Sequence, residues 1–231
     1  MNIVVLTGAG ISAESGLKTF RDNGGLWEGH RMEDVATPEA FAANPELVQN
    51  FYNLRRQQLR SDEVKCNAAH IALAEFEAQH KGRFTLITQN VDDLHQRAGS
   101  NNLLAMHGEL RKVRCLNCDA VMPYDEAITP QSQCTQCLQL DCLRPHIVWF
   151  GEMPLYMDVI ERVLQSCELF VSIGTSSVVY PAAGFQQLAQ HRGAHTVELN
   201  LAPSETASRF DEAIYGNAST LVPEYFSGLL D

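Results

Sequence analysis

The amino-acid sequence predicts an α/β protein with a doubly wound parallel sheet and a smaller lobe beside it. Short apolar runs alternate with stretches of helical character, which is the pattern of parallel strands joined by crossover helices. The alternation is interrupted in residues 30–66 and 112–142. We expect these two stretches to form the smaller lobe, and residues 1–29, 67–111 and 143–231 to form the sheet domain.

The individual elements follow from local patterns. Strands are predicted for the apolar runs bounded by turn residues, at 3–7, 84–88, 103–106, 169–173, 196–199 and 219–222. Helices are predicted at 68–80, 155–167, 181–191, 205–214 and 223–230. Residues 30–66 hold no strand signal, but Thr37 and Asn44 each precede a proline and a glutamate. That order is typical of a helix N-cap and first turn, so a module of two consecutive helices is expected there.

The composition of the 231-residue chain is ordinary for a globular protein, with 45% hydrophobic and 19% charged residues. No apolar run approaches the roughly 20 residues that span a bilayer. Residues 1–7 lead into a glycine-rich turn without the basic flank of a signal peptide, so we expect a cytoplasmic protein with no membrane contact. The net charge of −11 repels nucleic-acid phosphates. Lysine-bearing protein segments are the better expected partners, and nothing in the sequence requires more than a monomer.

A glycine-rich turn follows the first apolar run, with Gly8 and Gly10 in the pattern G-A-G-x-S-x-x-S-G. Glycine lets the backbone turn tightly and approach a phosphate. A helix beginning near Glu14 would direct free N–H groups at that anion. The spacing differs from G-x-G-x-x-G, so by itself it is equally typical of a plain turn. A cation and two large aromatic residues follow in the loop, which favours a flap that closes over a bound cofactor.

Five of the seven cysteines lie in residues 115–142. Without an export signal, such clustering favours metal thiolates over disulfides. Cys115-x-x-Cys118 and Cys134-x-x-Cys137, separated by fifteen residues, predict a four-coordinate structural zinc site in a module over 112–142. Unpaired buried cysteines or oxidised pairs are the alternative, and Cys142 competes for the fourth position. Zinc would stabilise a segment too poor in apolar residues to fold alone.

Polar residues follow the predicted strands at their carboxyl ends, where open α/β sheets bind ligands. Asn90 and Asp92 come after the strand at 84–88, where they would serve equally well as a helix N-cap. His107 ends the run at 103–106 and precedes a glycine, so its ring has room at the sheet edge. An imidazole that titrates near neutrality is a natural general base. Ordinary surface or core roles are expected for His30, His70, His80, His191 and His195.

Four stretches together resemble the sirtuins, the NAD-dependent protein deacylases, and the resemblance extends over nearly the whole chain. They are the glycine-rich turn, the run T-Q-N-V-D-D-L-H from Thr88, His107 with its glycine, and the run R-P-H-I-V-W-F-G-E from Arg144. The resemblance implies a Rossmann-like NAD-binding domain, His107 as the catalytic residue, and one structural Zn²⁺. The family spacing before Arg144 favours Cys137 over Cys142 as the fourth ligand. Leu17 and the lysine after it depart from the family's usual Ile-Pro.

The resemblance also implies the binding residues. For the cofactor they are Gly8, Ala9, Gly10, Ser12, Glu14, Phe20, Arg21, Trp27, Gln89, Asn90, Val91, Asp92, Gly174, Thr175, Ser176, Asn200, Leu201 and Ala218. For the substrate they are Tyr52, Arg55, Val148, Phe150, Gly151 and Glu152. The last four lie in a segment whose free backbone groups could pair with a substrate peptide as an added strand. An ordinary edge strand with a buried tryptophan and phenylalanine is the alternative, and both interpretations can hold.

The helix predicted over 45–60 carries two stripes at helical spacing. Leu47, Phe51 and Leu54 predict the stripe that packs in the core. Tyr52 and Arg55 lie one turn apart on the neighbouring stripe. From the residues alone, we expect the tyrosine at the edge of the core and the arginine in solvent, beside the arginines at positions 56 and 60.

A Tyr-x-x-Arg pair in this helix resembles the sirtuin branch that removes succinyl and malonyl groups. A guanidinium in an apolar channel can hold a carboxylate through two hydrogen bonds. The resemblance therefore implies removal of acetyl and acidic acyl groups from acylated lysines of proteins, with nicotinamide, O-acyl-ADP-ribose and free lysine as products. Two alternatives stay open: a protein mono-ADP-ribosyltransferase with the same NAD site, and a non-catalytic NAD-sensing or zinc-scaffold protein. The second would have no use for His107.

Overall fold

The computed structural model describes residues 1–17, 26, 27 and 29–230. The strands are β1 (Asn2–Thr7), β2 (Leu26–Trp27), β3 (His30–Arg31), β4 (Arg83–Thr88), β5 (Leu103–Ala105), β6 (Gly108–Cys115), β7 (Val121–Pro123), β8 (Leu143–Ile147), β9 (Leu169–Ile173), β10 (His195–Asn200) and β11 (Glu212–Tyr215). The helices are α1 (Met32–Val35), α2 (Pro38–Ala43), α3 (Pro45–Leu59), α4 (Ala68–Gln79), α5 (Leu94–Ala98), α6 (Met157–Gln165), α7 (Phe185–His191) and α8 (Ala218–Ser227). Within the described residues, no helix is both long and apolar enough to cross a membrane.

Six parallel strands form the central sheet, in the order β11-β10-β9-β1-β4-β5. The predicted strands at 3–7, 84–88, 103–106, 169–173 and 196–199 all lie in it. Inner strands such as β1 and β9 are buried along almost their whole length. They read as continuous apolar runs because helices cover both faces of the sheet. The predicted doubly wound α/β fold is confirmed.

Each face of the sheet has its own apolar core. Side chains alternate between the faces along a strand, so Val5 packs on one side and Leu6 on the other. Helices α4 and α8 cover the Val5 face, where Phe226 of α8 is fully buried. Helices α6 and α7 cover the Leu6 face, with Ile160 and Phe185. The two cores hold the strand ends in fixed positions relative to each other.

Two predicted elements at the end of the chain are wrong. Residues 219–222 were expected to form a strand but belong to helix α8, and residues 205–214 were expected to form a helix but include the first part of β11. Pro223 lies inside α8. Because a proline usually ends a helix, the sequence predicts a helix only after it. Strand β11 is an edge strand that is mostly exposed, and it therefore lacks a strong apolar pattern.

The smaller lobe combines helices α1 to α3 with a three-stranded antiparallel sheet in the order β7-β6-β8. Its two predicted helices begin as expected. The Thr37 hydroxyl accepts a hydrogen bond from the Ala40 N–H (3.0 Å), and the Asn44 side chain accepts one from the Leu47 N–H (3.1 Å). Strand β6 continues across residues 111 and 112, between which the sequence analysis placed a domain boundary.

The buried stripe of α3 differs from the predicted one. Phe51 is buried as predicted, but Leu54 is 57% exposed. On the neighbouring stripe, Tyr52 is buried as well. Arg56, expected in solvent, is 1% exposed. Its guanidinium donates hydrogen bonds to the Leu110 and Glu126 carbonyls (3.0 and 3.2 Å), which offset the cost of burying the charge. A cation that satisfies distant backbone carbonyls carries no local sequence signal.

Candidate active site

The carboxyl ends of β1, β4, β9 and β10 meet at one edge of the sheet and line a cavity of about 540 Å³. Helix α3 and the segment after β8 close it on the lobe side. The predicted residues on its wall are Gly8, Ala9, Gly10, Ser12, Glu14, Tyr52, Arg55, Gln89, Asn90, Val91, Asp92, His107, Val148, Phe150, Gly151, Glu152, Gly174, Thr175, Ser176, Asn200, Leu201 and Ala218. Phe20, Arg21 and the side chain of Trp27 lie outside the described residues.

The glycine-rich turn packs directly against the loop after β9. The Gly10 N–H donates to the Gly174 carbonyl (2.8 Å). A Cβ at Gly10 would lie 2.7 Å from the Gly174 Cα, and one at Gly8 would lie 2.9 Å from the Gly174 oxygen. Contact between two loops therefore requires these glycines, in addition to the predicted approach to a phosphate. The helix expected near Glu14 instead begins earlier, as a 3-10 helix over Ala9–Ser15.

A polar network connects the glycine-rich turn to the residues after β4. The Asn90 amide donates to the Gly8 carbonyl and to the Ser12 hydroxyl (both 3.1 Å), and the Ser12 hydroxyl donates to the Asp92 carboxylate (3.0 Å). Asp92 also accepts from the Leu94 N–H (3.1 Å) at the start of α5, but the N-cap residue of that helix is Asp93 and neither Asn90 nor Asp92. Burial raises the pKa of Asp92 to about 6. The network fixes two polar side chains on the cavity wall.

His107 is held in one tautomer. Its Nδ1 lies 2.9 Å from the Gln89 carbonyl oxygen, and because a carbonyl only accepts, Nδ1 carries the proton. The unprotonated Nε2 is the nitrogen left for a ligand in the cavity. Burial lowers the pKa of His107 below its ordinary value, so the ring is neutral at physiological pH. A neutral, oriented imidazole is what a general base requires.

Two further histidines lie behind this wall. His95 Nε2 is 3.0 Å from the Thr7 hydroxyl, and His70 Nε2 is 3.5 Å from the Ser12 hydroxyl. Their ring centroids are 4.9 Å apart. Burial lowers the pKa of His70 to about 4, so it is uncharged at neutral pH. The sequence analysis assigned His70 an ordinary role, and its contact with Ser12 depends on residues 58 positions apart.

On the lobe side, Tyr52 and Arg55 line the cavity together, as the resemblance implies, whereas the residues alone predict Arg55 in solvent. The Tyr52 hydroxyl accepts a hydrogen bond from the Trp149 indole N–H (2.9 Å). The Arg55 guanidinium lies 5.3 Å from the centre of the Phe51 ring. Gln58, one turn after Arg55, lines the same cavity. The sequence analysis did not select Gln58, although its spacing from Arg55 could have identified it.

An ion pair joins β8 to the segment that follows it. The Arg144 guanidinium donates to both Glu152 oxygens (2.7 and 3.0 Å) and lies 3.5 Å from the centre of the Trp149 ring. The Val148 and Phe150 N–H groups donate to the His107 and Ala36 carbonyls (both 2.9 Å). The expectation of free backbone groups is wrong for these two N–H groups. Trp149 is buried as expected, whereas Phe150 is 51% exposed.

The four cysteines predicted from spacing meet in the lobe. The sulfur atoms of Cys115, Cys118, Cys134 and Cys137 all lie within 4.8 Å of one another. The Cys115–Cys137 and Cys118–Cys134 pairs are each 3.7 Å apart. A tetrahedral zinc with Zn–S bonds of about 2.3 Å places its ligands about 3.8 Å apart. The cluster fits a structural Zn²⁺. Cys142 lies 3.5 Å from Cys115 and donates to the Gln139 carbonyl.

Comparison with known proteins identifies the family. A model of the Sir2 family matches residues 8–181, a span that includes the glycine-rich turn, His107 and the four-cysteine cluster. The chain belongs to the Sir2 family. A Sir2 relative named NAD-dependent protein deacylase, from Pasteurella multocida (strain Pm70), is 57% identical over 230 residues, which cover 100% of this chain and 98% of the relative.

Solved Sir2 structures share the fold. The crystal structure of a Sir2 homologue–NAD complex has a TM-score of 0.88 and 39% identity, and the match covers 99% of this chain and 90% of that chain. A mutant Sir2 homologue in complex with 2′-O-acetyl-ADP-ribose has a TM-score of 0.87 and 39% identity, with coverage of 98% and 91%. Because both matches cover nearly the whole chain, the likeness extends over both the parallel sheet and the smaller lobe.

Proposed function

We propose that this chain removes acetyl, succinyl and malonyl groups from lysine side chains of proteins, with NAD as co-substrate. The products would be nicotinamide, O-acyl-ADP-ribose and free lysine. The observation that carries the proposal is the neutral His107 ring, whose Nε2 is left to accept a proton in the cavity lined by the predicted cofactor and acyl residues.

At the level of the reaction class, the chain is an NAD-dependent protein deacylase. It belongs to the Sir2 family, and a relative with that name is 57% identical over its whole length. The residues of the cavity fit a dinucleotide, because glycines and small polar side chains line the strand ends where phosphate and ribose groups bind in open α/β sheets. All of these residues come from one chain, so the proposal needs only a monomer.

The roles of the residues follow from their positions. When bound, NAD supplies an electrophilic ribose carbon that loses nicotinamide when the acyl oxygen of the modified lysine attacks it. His107 would accept a ribose hydroxyl proton at Nε2 while that hydroxyl attacks the acyl carbon. One water then releases the free lysine and leaves the acyl group on the ribose. Asn90 and Asp92, held by Ser12 and the Gly8 carbonyl, orient the nicotinamide end. A base that is neutral and fixed before the substrate arrives contributes typically about 10² to 10⁴ in rate.

The acyl preference is proposed from Tyr52 and Arg55. The Trp149 hydrogen bond fixes the Tyr52 hydroxyl on the cavity wall, and Arg55 follows one turn later on the same wall. A guanidinium and a phenol can together hold the terminal carboxylate of a succinyl or malonyl group. An acetyl group fills less of the same channel and needs no such partner, which is why we expect both activities.

Cys115, Cys118, Cys134 and Cys137 are proposed as the zinc ligands. Four thiolates fill a tetrahedral site, so no position stays open for a reacting group and the metal is structural. Cys142 is assigned to the small core beside the site, where its S–H donates to the Gln139 carbonyl.

Product analysis tests the proposal directly. The chain is incubated with NAD and with acetylated or succinylated peptides, and the products are identified by mass spectrometry. O-acyl-ADP-ribose and free lysine are expected, whereas a peptide that gains ADP-ribose would favour the mono-ADP-ribosyltransferase. His107→Tyr should reduce product formation at least about a hundredfold while NAD binding, measured by calorimetry, persists. Unchanged turnover in this variant would assign the base to another group, and NAD binding without turnover in the unmodified chain would favour a non-catalytic sensor.

A further inference from the structure

A second cavity, of about 170 Å³, lies on the face of β8 that carries Arg144 and His146. Side chains alternate between the two faces of a strand. Ile147 packs with Leu110 and Trp149 toward the active site. Arg144 and His146 point to the opposite face, where Arg114 of β6 completes the wall. We call this second cavity the Arg114 pocket.

The Arg114 pocket carries positive charge in a chain whose net charge is −11. Arg114 and Arg144 are direct cross-strand partners, an arrangement that is unfavourable for two like charges. The Glu152 carboxylate neutralises Arg144, and nearby Lys112 forms an ion pair with Glu109. Arg114 has no side-chain hydrogen bond or ion pair with any residue that the structure describes. One arginine is thus left to attract an anion.

His146 adds a neutral polar group to the Arg114 pocket. It is buried, and burial together with the charge of Arg114 lowers its pKa to about 4. The ring is therefore uncharged at neutral pH and can donate or accept a hydrogen bond. The lining has one positive charge that is not balanced. The cavity is smaller than the roughly 300 Å³ of the smallest typical cofactor sites. A single carboxylate side chain fits that size and charge.

We propose that the Arg114 pocket binds an aspartate or glutamate side chain of the protein substrate, next in sequence to the acylated lysine. This inference rests on the proposed deacylase function. Three residues, Ile147, Val148 and Glu152, line both cavities. A single backbone segment therefore separates the two cavities. Successive side chains of an extended peptide point to opposite sides, about 3.3 Å apart along the chain. A peptide that lies along this shared segment with its lysine in the active site would then place a neighbouring side chain on the side of the Arg114 pocket.

The test is a set of acetyl-lysine peptides that carry glutamate, glutamine or lysine at the position before or after the acetyl-lysine. For one of these positions, the glutamate peptide should have a kcat/KM about fivefold above its glutamine counterpart, through KM, as expected for a partly exposed charge pair. Arg114→Gln should abolish this preference without changing kcat on the glutamine peptide. Arg114→Glu should reverse it in favour of the lysine peptide. Arg192→Gln removes a charge from an exposed arginine outside both cavities and should change nothing.

The outcomes separate this inference from the proposed function. Turnover of all peptides with equal kcat/KM would overturn the Arg114 pocket as a substrate subsite and leave the deacylase intact. No turnover of any peptide in the presence of NAD would overturn the proposed function itself. Free phosphate is tested in parallel. Inhibition of turnover by phosphate that Arg114→Gln removes, without any peptide preference, would make the pocket a site for small anions and overturn the assignment to a substrate side chain.

Discussion

The parallel sheet and the zinc-bearing end of the smaller lobe are stabilised by different means. Among the described residues, fifteen buried apolar side chains form the core on one face of the sheet and twelve form the core on the other. The core beside the four sulfur atoms has seven members, and three of them are cysteines. Hydrophobic burial contributes about 25 cal/mol per Å², so the sheet can rely on it, whereas the zinc-bearing end depends on a cross-link.

The active site lies between the sheet and the helical part of the smaller lobe, and no residue of the described stretch 112–142 lines the cavity. The sheet contributes the buried polar groups, namely Ser12, Asn90 and Asp92, which cost stability when they are taken out of water. The lobe contributes the cavity wall that carries Tyr52 and Arg55, the residues proposed to face the substrate. The costly polar groups thus lie on the well-packed sheet. Tyr52 is buried in a separate apolar core of the lobe, around Trp149, and not in the small core beside the four sulfur atoms.

The largest expected effect is the loss of the metal. Cys134→Ser removes a buried ligand, and structural zinc contributes on the order of 10 kcal/mol of folding free energy in small zinc domains. We expect the variant to lose its one zinc per chain and the amides of β6, β7 and β8 to exchange rapidly with solvent. The amides of β1, β4 and β9 should remain protected. Atomic absorption and hydrogen–deuterium exchange measure the two results.

Cys142→Ser is the matched control for the metal. Its sulfur lies in the same small core but outside the four-sulfur cluster, so the variant should keep one zinc per chain. Loss of zinc in Cys142→Ser with retention in Cys137→Ser would exchange the roles of these two cysteines. Rapid exchange throughout the sheet in Cys134→Ser would show that the two halves unfold as one unit.

The next largest effect is a gain in folding stability, expected on the sheet side of the active site. The pKa of Asp92 is raised in the folded chain to about 6, from 3.8. The favourable contribution of Asp92 to the free energy of unfolding is therefore fully present below pH 3.8. It is lost as the pH rises through about 6. Asp92→Asn should stabilise the chain by about 2 kcal/mol at pH 8, a value reduced for the part of the side chain that faces the cavity, and should reduce deacylation.

Denaturant unfolding at pH 8 and at pH 3.5 measures this effect. The gain from Asp92→Asn should be present at pH 8 and absent at pH 3.5, while Asp62→Asn, at an exposed carboxylate, should show no gain at either pH. A destabilised Asp92→Asn variant at pH 8 would mean that the hydrogen bonds to Ser12 and Leu94 outweigh the cost of burying the charge.

These contrasts also explain how much of the molecule the sequence could predict. The N-caps at Thr37 and Asn44 and the two cysteine pairs depend on residues a few positions apart, and all have the predicted geometry. The four inner strands and the edge strand β5 follow from apolar runs. By contrast, the contact of Gly10 with Gly174 depends on β1 and β9 being neighbours, and Arg56 is buried because carbonyls 54 and 70 residues away accept its hydrogen bonds.

The smallest expected effect concerns the lobe wall of the cavity. Arg55→Met keeps the length of the side chain and removes its charge, so a succinyl carboxylate would lose its partner while an acetyl group would lose none. Desuccinylation should fall at least about tenfold, equivalent to about 1.4 kcal/mol, with deacetylation largely preserved in steady-state assays. Arg60→Met, at the exposed end of α3, should leave both rates unchanged. Equal loss of the two activities in Arg55→Met would remove this arginine from the acyl site and leave α3 as a structural wall.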